Sequence, residues 1–157
     1  GKAIEERLVE QLTTQLNTTL EDVGQIPKQY RWTKKPSPTA PSQYVASSLA
    51  RVDAAVGEAE KRGLADAPKL GSEAVRRAAG AFVQKAAQVL DTVDATGSSL
   101  SRLKRREGTP AEGDTDEDKI KRQMRLDVEA VIERVEESEE RTEMEKLVER
   151  LKSSKPV

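Results

Sequence analysis

The sequence predicts an all-α fold, namely a small antiparallel helical bundle with one long proline-rich connection. Apolar residues recur three or four positions apart, which is the spacing of one helix face. No segment alternates apolar and polar residues as a half-buried strand would. Charged and hydrophobic residues each make up 35% of the 157 residues and aromatics only 3%, which approaches the composition of long helices and coiled coils.

The first predicted helix lies within residues 1–23. Its apolar stripe consists of leucines and one isoleucine four positions apart: Ile4, Leu8, Leu12, Leu16 and Leu20. Gly24 and Pro27 are expected to end it. Residues 24–41 then form an aromatic and basic linker, which we expect to be extended and largely polyproline-II-like. Its prolines disfavour helix at the residues before them: Pro36, Pro38 and Pro41.

Residues 42–106 are predicted to form a helical pair. Ser42 is the expected N-cap of the second helix, and Gly63 is the residue that ends it. The apolar face of this helix is regular: Val45, Leu49, Val52, Val56 and Ala59. A loop with Pro68 is expected over residues 64–71.

The third predicted helix starts after Ser72 and has the most regular pattern in the chain. Its inner positions alternate steps of four and three over about four heptads. They are Val75, Ala79, Phe82, Ala86, Val89, Val93, Thr96, Leu100 and Leu103. This pattern indicates a coiled-coil-like seam.

Residues 107–115 form a predicted acidic linker, and residues 116–157 a C-terminal helical segment. The fourth helix is expected to open at Thr115 or Asp116, with acidic residues in its first turn. Its face is apolar: Ile120, Met124, Val128, Val131 and Val135. The pattern lapses over 136–143 and resumes later, at Met144, Leu147, Val148 and Leu151. We predict a break in the helix at the lapse.

The composition excludes most catalytic chemistry. The chain has no Cys and no His, so zinc fingers, thiol nucleophiles and Ser-His-Asp triads are excluded. The pairs Asp116/Asp118 and Asp127/Glu129 lack the spacing of a calcium loop or of a shared helix face. We therefore predict a protein that is not an enzyme and has no cofactor and no metal. The net charge of -1 argues against a nucleic-acid partner.

The candidate site is the aromatic and basic segment before and within the linker. Its residues are Tyr30, Arg31, Trp32, Lys34, Lys35 and Tyr44. Large rings and cations in a segment that avoids helix suggest docking onto a partner or packing on neighbouring helices. We expect Trp32 to be the anchor and to face inward onto the second helix. An alternative is a peripheral binder of anionic membrane or nucleic acid through residues 28–35.

Shorter patterns allow further alternatives. Residues 34–38 are similar to proline-rich ligands of aromatic-groove domains. Ser37-Pro38 and Thr109-Pro110 match proline-directed phosphorylation sites. Four cations near the end of the third helix could bind an anion, although helix C-termini commonly carry cations: Arg102, Lys104, Arg105 and Arg106.

Two blocks of sequence resemble a known family. The first runs from Tyr30-Arg31-Trp32-Thr33-Lys34-Lys35-Pro36 through Pro38, Thr39, Pro41-Ser42 and Tyr44-Val45. The second comprises residues 116–120, Gln123 and residues 126–129, with residues 99–104 ahead of it. Together they resemble the carboxy-terminal region of subunit 2 of the conserved oligomeric Golgi complex. The resemblance is clear over residues 28–50 and 98–132.

The resemblance implies a non-catalytic part of a larger, helical-rod tethering subunit. It implies a role in intra-Golgi retrograde transport, through protein–protein interaction and as a peripheral membrane protein on the cytosolic face of the Golgi membrane. The implied partners are sister subunits of the complex, together with SNAREs and Rab GTPases. A different interpretation is a generic structural coiled coil that self-associates through residues 75–103.

Overall fold

The fold is helical throughout the residues that the structure describes. The computed structural model describes the backbone of residues 2–107 and 115–152, and the side chains of residues 2–96 and 115–152. In chain order the elements are α1 (Lys2–Leu20), a 3-10 segment (Glu21–Gln25), α2 (Ile26–Tyr30), α3 (Gln43–Lys61), α4 (Ala67–Glu107), α5 (Asp116–Ile132) and α6 (Glu139–Lys152). No strand occurs in these ranges, which confirms the predicted fold class.

The N-terminal helical region extends further than predicted. Helical backbone continues past Gly24 through the 3-10 segment and α2 to Tyr30, so only the chain from Arg31 onward is a non-helical connection. Pro27 lies in the first turn of α2, where its missing N–H needs no partner. Burial of Val23 and Ile26 rewards this continuation. The prediction that Gly24 and Pro27 end the helix was wrong.

The buried stripe of α1 also differs at its start. Val9 is buried with three of the predicted leucines, Leu12, Leu16 and Leu20. Leu8 is only half-buried, and Ile4 is 61% exposed. The predicted stripe is therefore wrong at Ile4, because the first turn of α1 projects beyond the helices that cover the rest.

Helices α3 and α4 form a tight pair. Gly63 has φ 77°, and the amides of Gly63 and Leu64 bond the carbonyls of Glu60 and Ala59, both at 3.0 Å. This Schellman arrangement confirms Gly63 as the residue that ends the helix. The predicted loop 64–71 is shorter than expected, because α4 already starts at Ala67 with Pro68 in its first turn.

The close approach of α3 and α4 requires Gly71. A Cβ added there would lie 2.6 Å from Cγ2 of Val56, which is far inside van der Waals contact. Valine has little rotamer freedom to move away. The absent side chain of Gly71 therefore sets the distance between the two helices.

Helix α4 is the central element of the bundle. Its 41 residues span about 60 Å, and α1, α3, α5 and α6 all pack on it. Most described positions of the predicted seam are buried, but so are neighbours that a two-stranded seam would leave exposed: Ala74, Ala78, Val83 and Leu90. The buried face is thus wide enough to contact several helices of the same chain. Leu100 and Leu103 lie outside the described side chains.

Helices α5 and α6 follow the sequence pattern closely. Thr115 caps α5 in a capping box with Asp118, each side chain bonding the other's backbone N–H at 3.1 Å. The predicted apolar faces of both helices are buried, and the helix breaks between Ile132 and Glu139 as predicted. The acidic linker 107–115 lies outside the described residues except at its two ends.

Ion pairs fix α6 across α4 near both of its ends. Arg76 of α4 contacts Glu140 at 2.6 Å and Glu73 of its own helix at 2.7 Å. Arg150 of α6 contacts Asp94 at 3.1 Å and also contacts Asp91. The two helices therefore run in the same direction.

Candidate interaction surface

One face of α5 carries a row of polar side chains that contact the connection between α2 and α3. The polar row is Asp116, Lys119, Gln123 and Asp127. Their spacing of three, four and four places them along one side of the helix, next to the apolar face that enters the core. Each of the four contacts residues 30–42, which come before them by more than eighty positions.

Asp127 is the most buried member of the polar row, with no exposed surface. Its carboxylate accepts the backbone N–H of Ser42 at 2.6 Å and the Ser42 hydroxyl at 2.7 Å. It also accepts the side-chain amide of Gln123 at 2.9 Å. A buried carboxylate is costly unless it is hydrogen-bonded, and these three donors offset the cost. Burial nevertheless dominates and raises the pKa of Asp127 above its usual range.

Gln123 joins the two ends of the connection. Its oxygen accepts the Tyr30 hydroxyl at 2.8 Å, while its nitrogen donates to the Ala40 carbonyl at 2.9 Å as well as to Asp127. The end of α2 and the residues before α3 are therefore bonded to one side chain of α5. Replacing this amide by an apolar group would leave several buried partners unsatisfied.

Tyr30 and Tyr44 are both buried but differ in their hydroxyls. Tyr30 donates to Gln123, whereas the buried Tyr44 hydroxyl makes no well-formed hydrogen bond to the described residues. Burial, and then the negative charge of Asp127, raises the pKa of each phenol. Both tyrosines thus act in packing, which is one of the two roles predicted for them.

The middle of the connection faces solvent. Trp32 is 83% exposed and has φ 62°, and Lys34 has φ 59°. A bulky residue in this left-handed region is an outlier whose conformation must be imposed by its surroundings. The backbone N–H of Trp32 donates to Asp116 Oδ2 at 3.2 Å, and Lys119 Nζ donates to the Lys35 carbonyl at 2.6 Å.

The connection is also shorter than an extended chain would be. The polar row from Asp116 to Asp127 covers about 16 Å of helix axis, whereas the chain from Trp32 to Ser42 could span about 33 Å if extended. The turn at residues 31–33, the left-handed residues Trp32 and Lys34 and a bend at Ala40 depart from an extended chain. The predicted polyproline-II-like conformation is therefore wrong at Trp32 and Lys34.

The predicted site residues thus separate into two groups. Tyr30 and Tyr44 lie inside the bundle. Arg31 is half-buried, and the remaining three are exposed: Trp32, Lys34 and Lys35. We call Arg31, Trp32, Lys34 and Lys35 the Trp32 surface. The expectation that Trp32 faces inward was wrong, because the backbone turn directs its indole away from the bundle.

Comparison with known proteins identifies the family. The family model described as "COG complex component, COG2, C-terminal" matches residues 2–128. The chain belongs to this COG2 family. It is also 40% identical over 126 residues to "Conserved oligomeric Golgi complex subunit 2" of Caenorhabditis elegans, covering 77% of this chain. The chain spans 18% of the length of that relative. No solved structure matches.

The part of the chain that matches the COG2 family includes the whole candidate site. Residues 2–128 run from α1 to near the end of α5, so they contain the connection and the complete polar row. Helix α6 lies beyond the match. The family resemblance inferred from the two sequence blocks is confirmed.

Several residues that position the candidate site of this COG2-family chain were missed by sequence reasoning. Asp127 was considered only as half of a carboxylate pair with Glu129, and Gln123 and Ser42 were not considered as a hydrogen-bonded group. The available signal was the spacing of the polar row, which lies directly beside an apolar helix face. Their partners lie far away in sequence, so no local pattern names them.

The structure gives little support to the other candidate sites considered from the sequence. Ser37 is half-buried and makes a contact of its own, and Pro38 is buried, so this motif is not presented as an open segment. Thr109-Pro110 and the basic side chains of residues 102–106 lie outside the described residues. Among the described residues, no group of His, Cys, Asp or Glu could hold a metal. No described helix is long and apolar enough to cross a membrane.

Proposed function

We propose that this chain is a non-catalytic helical module of a Golgi vesicle-tethering complex, acting by protein–protein contact in intra-Golgi retrograde transport. The observation that carries the proposal is the COG2 family match over residues 2–128. The proposed location is the cytosolic face of the Golgi membrane, reached through the assembled complex. Sister subunits are the proposed direct partners. SNAREs and Rab GTPases, which the resemblance implies, are proposed partners of the assembled complex.

The Trp32 surface is the proposed docking site for a sister subunit. It supports this role because an exposed tryptophan flanked by cations has the composition of an interface anchor. Its backbone is restrained by hydrogen bonds to α5, so less backbone freedom is lost on binding. Tyr30 and Tyr44 contribute indirectly, by packing the ends of the connection into the bundle.

The alternative of self-association through residues 75–103 is less well supported. Val75, Phe82 and Val93 are buried within the bundle of a single chain. A homodimer through these residues would require the surrounding helices to detach first. Sedimentation equilibrium of the bundle would reveal such a dimer as a species of twice the mass.

The test uses the complete subunit, co-expressed with its sister subunits. The Trp32→Ala variant should recover markedly less of at least one sister subunit than wild type does, because loss of a buried aromatic anchor costs at least about 2 kcal/mol. Ile4→Ala is the matched control, since Ile4 is the other exposed large hydrophobic residue of the described chain. Equal recovery by both variants would remove the docking role.

A cell-based arm tests the wider function. In cells that lack the endogenous subunit, wild-type protein should restore the return of a recycling Golgi-resident cargo. A failure of the wild-type protein to join the complex or to restore transport would contradict the proposed function itself, whatever the result for Trp32.

A further inference from the structure

We propose that the partner contacted by the Trp32 surface is an acidic protein surface with an apolar recess that receives the indole of Trp32. This inference rests on the proposed function, because it names the chemistry of the sister-subunit site. The charges around Trp32, the fixed backbone beneath it and the carboxylate beside it lead to this partner rather than to a membrane.

The charge around Trp32 is concentrated and unsatisfied within the bundle. Lys28, Arg31, Lys34 and Lys35 lie within eight positions of sequence, and none of them forms an ion pair with another described residue. By contrast, three cations elsewhere in the bundle form ion pairs across helices: Arg76 of α4, Lys121 of α5 and Arg150 of α6. Unpaired cations beside an exposed ring favour a partner that supplies carboxylates.

The indole is presented on a fixed backbone. The backbone N–H of Trp32 donates to the Asp116 carboxylate, and the Lys119 ammonium donates to the Lys35 carbonyl. The left-handed conformations at Trp32 and Lys34 fold the chain outward between these two bonds. A backbone already held in the conformation that exposes the indole suits insertion of that side chain into a preformed recess.

The surroundings of Trp32 argue against an anionic bilayer as the partner. Asp116 lies against the Trp32 backbone, at the start of α5. A flat anionic surface that reaches the indole would also approach this carboxylate and be repelled by it. A protein surface can place acidic groups opposite the lysines only, and avoid this repulsion. One exposed indole also offers a bilayer little apolar area.

The experiment measures association of the complete subunit with each purified sister subunit at several salt concentrations. Trp32→Ala should weaken the affinity about 30-fold, mainly through faster dissociation. Lys34→Glu/Lys35→Glu should slow association about tenfold and flatten its salt dependence. Lys61→Glu/Lys69→Glu is the matched control, because it changes the net charge equally at exposed positions where α3 ends and α4 begins.

A parallel arm uses vesicles of phosphatidylcholine alone and vesicles of phosphatidylcholine mixed with phosphatidylserine, an anionic lipid of the cytosolic leaflet. We expect no Trp32-dependent flotation with either vesicle. Trp32-dependent binding to the anionic vesicles, without a sister-subunit effect, would overturn the inference in favour of a membrane.

The remaining outcomes separate the inference from the proposed function. If wild-type subunit assembles normally and Trp32→Ala matches the Ile4→Ala control, the inference is wrong while the tethering role stands. If Trp32→Ala weakens assembly but the Lys34/Lys35 double variant behaves as its control does, the partner is apolar rather than acidic, and the inference is also wrong. Circular dichroism spectra of all variants should coincide.

Discussion

The ends of the connection between α2 and α3 differ from its middle, although all belong to one short segment. Its ends, at Tyr30 and Ser42, are saturated with hydrogen bonds to Gln123 and Asp127. Its middle, at Trp32, has an aromatic ring of similar size but leaves it in solvent. Residue type alone therefore does not decide which aromatic side chain packs and which is presented. The contacts made by α5 decide it, through the hydroxyl of Tyr30 and the backbone of Trp32.

The largest effect is expected when the Asp127 carboxylate, which bonds the buried end of the connection at Ser42, is removed. Asp127→Ala should lower the free energy of unfolding by about 3 kcal/mol, because the Ser42 amide and the Gln123 amide lose their acceptor inside the protein. Glu129→Ala, an exposed neighbour on the same helix, should change it by less than about 0.5 kcal/mol. Chemical denaturation followed by circular dichroism measures both, and equal effects would refute the special role of Asp127.

A smaller test compares the two buried tyrosines. Tyr30→Phe removes the donor to Gln123 and should cost about 1 kcal/mol. Tyr44→Phe should lie within about 0.5 kcal/mol of wild type, since its hydroxyl makes no well-formed hydrogen bond to the described residues. Thermal and urea unfolding of the two variants check the difference. A larger loss for Tyr44→Phe would show that this hydroxyl has a bonded partner.

The pH dependence of stability distinguishes two kinds of carboxylate. The pKa of Asp127 is raised by burial, so the folded state takes up its proton before the unfolded state does. As pH falls through the raised pKa toward about 3.9, the stability of wild type relative to Asp127→Asn should therefore increase. Urea unfolding at a series of pH values gives this difference.

Asp94 should show the opposite sign. Burial acts to raise its pKa, but hydrogen bonds from Lys121 and Arg150 outweigh this and leave the pKa lowered. Its stabilisation is present above about pH 3.9 and is lost as pH falls through the lower folded value. Relative to Asp94→Asn, wild type should thus become less stable on acidification. Curves of the same sign for both carboxylates would contradict these assignments.

The smallest effect on stability is expected at Trp32, in the exposed middle of the connection. Trp32→Gly relieves the left-handed backbone of a bulky residue but makes the unfolded chain more flexible, so the two effects nearly cancel. We expect stability within about 1 kcal/mol of wild type, with gain favoured over loss. Denaturation in urea measures it. A loss comparable to that of Asp127→Ala would mean that the indole packs on the bundle.

Local signals predicted local features well. Gly63, Thr115 and the gap before α6 mark helix ends through capping and loss of apolar spacing, and the structure agrees at all three. The errors lie where tertiary burial outweighs a local rule. Pro27 was expected to stop a helix, yet it starts one, since burial of Val23 and Ile26 rewards continued helix around a tolerated proline.

The site was predictable in composition but not in orientation. The unusual residues of the connection were recognised, whereas the direction of Trp32 depends on a bond to Asp116, eighty-four positions later. The same distance hides Asp127, whose main partner is Ser42, eighty-five positions earlier. Helix periodicity describes a face of α5, but it does not say which part of the chain lies on that face.

The long separation between the connection and the polar row also sets the order of events during synthesis. Ser42 leaves the ribosome eighty-five residues ahead of Asp127, which bonds it. At 5–20 residues per second this is a delay of about 4–17 s, during which α1, α3 and most of α4 can fold without α5. The orientation of Trp32 is therefore completed only after α5 has been synthesised. A partner that recognises this orientation would select chains whose translation has passed the first turns of α5.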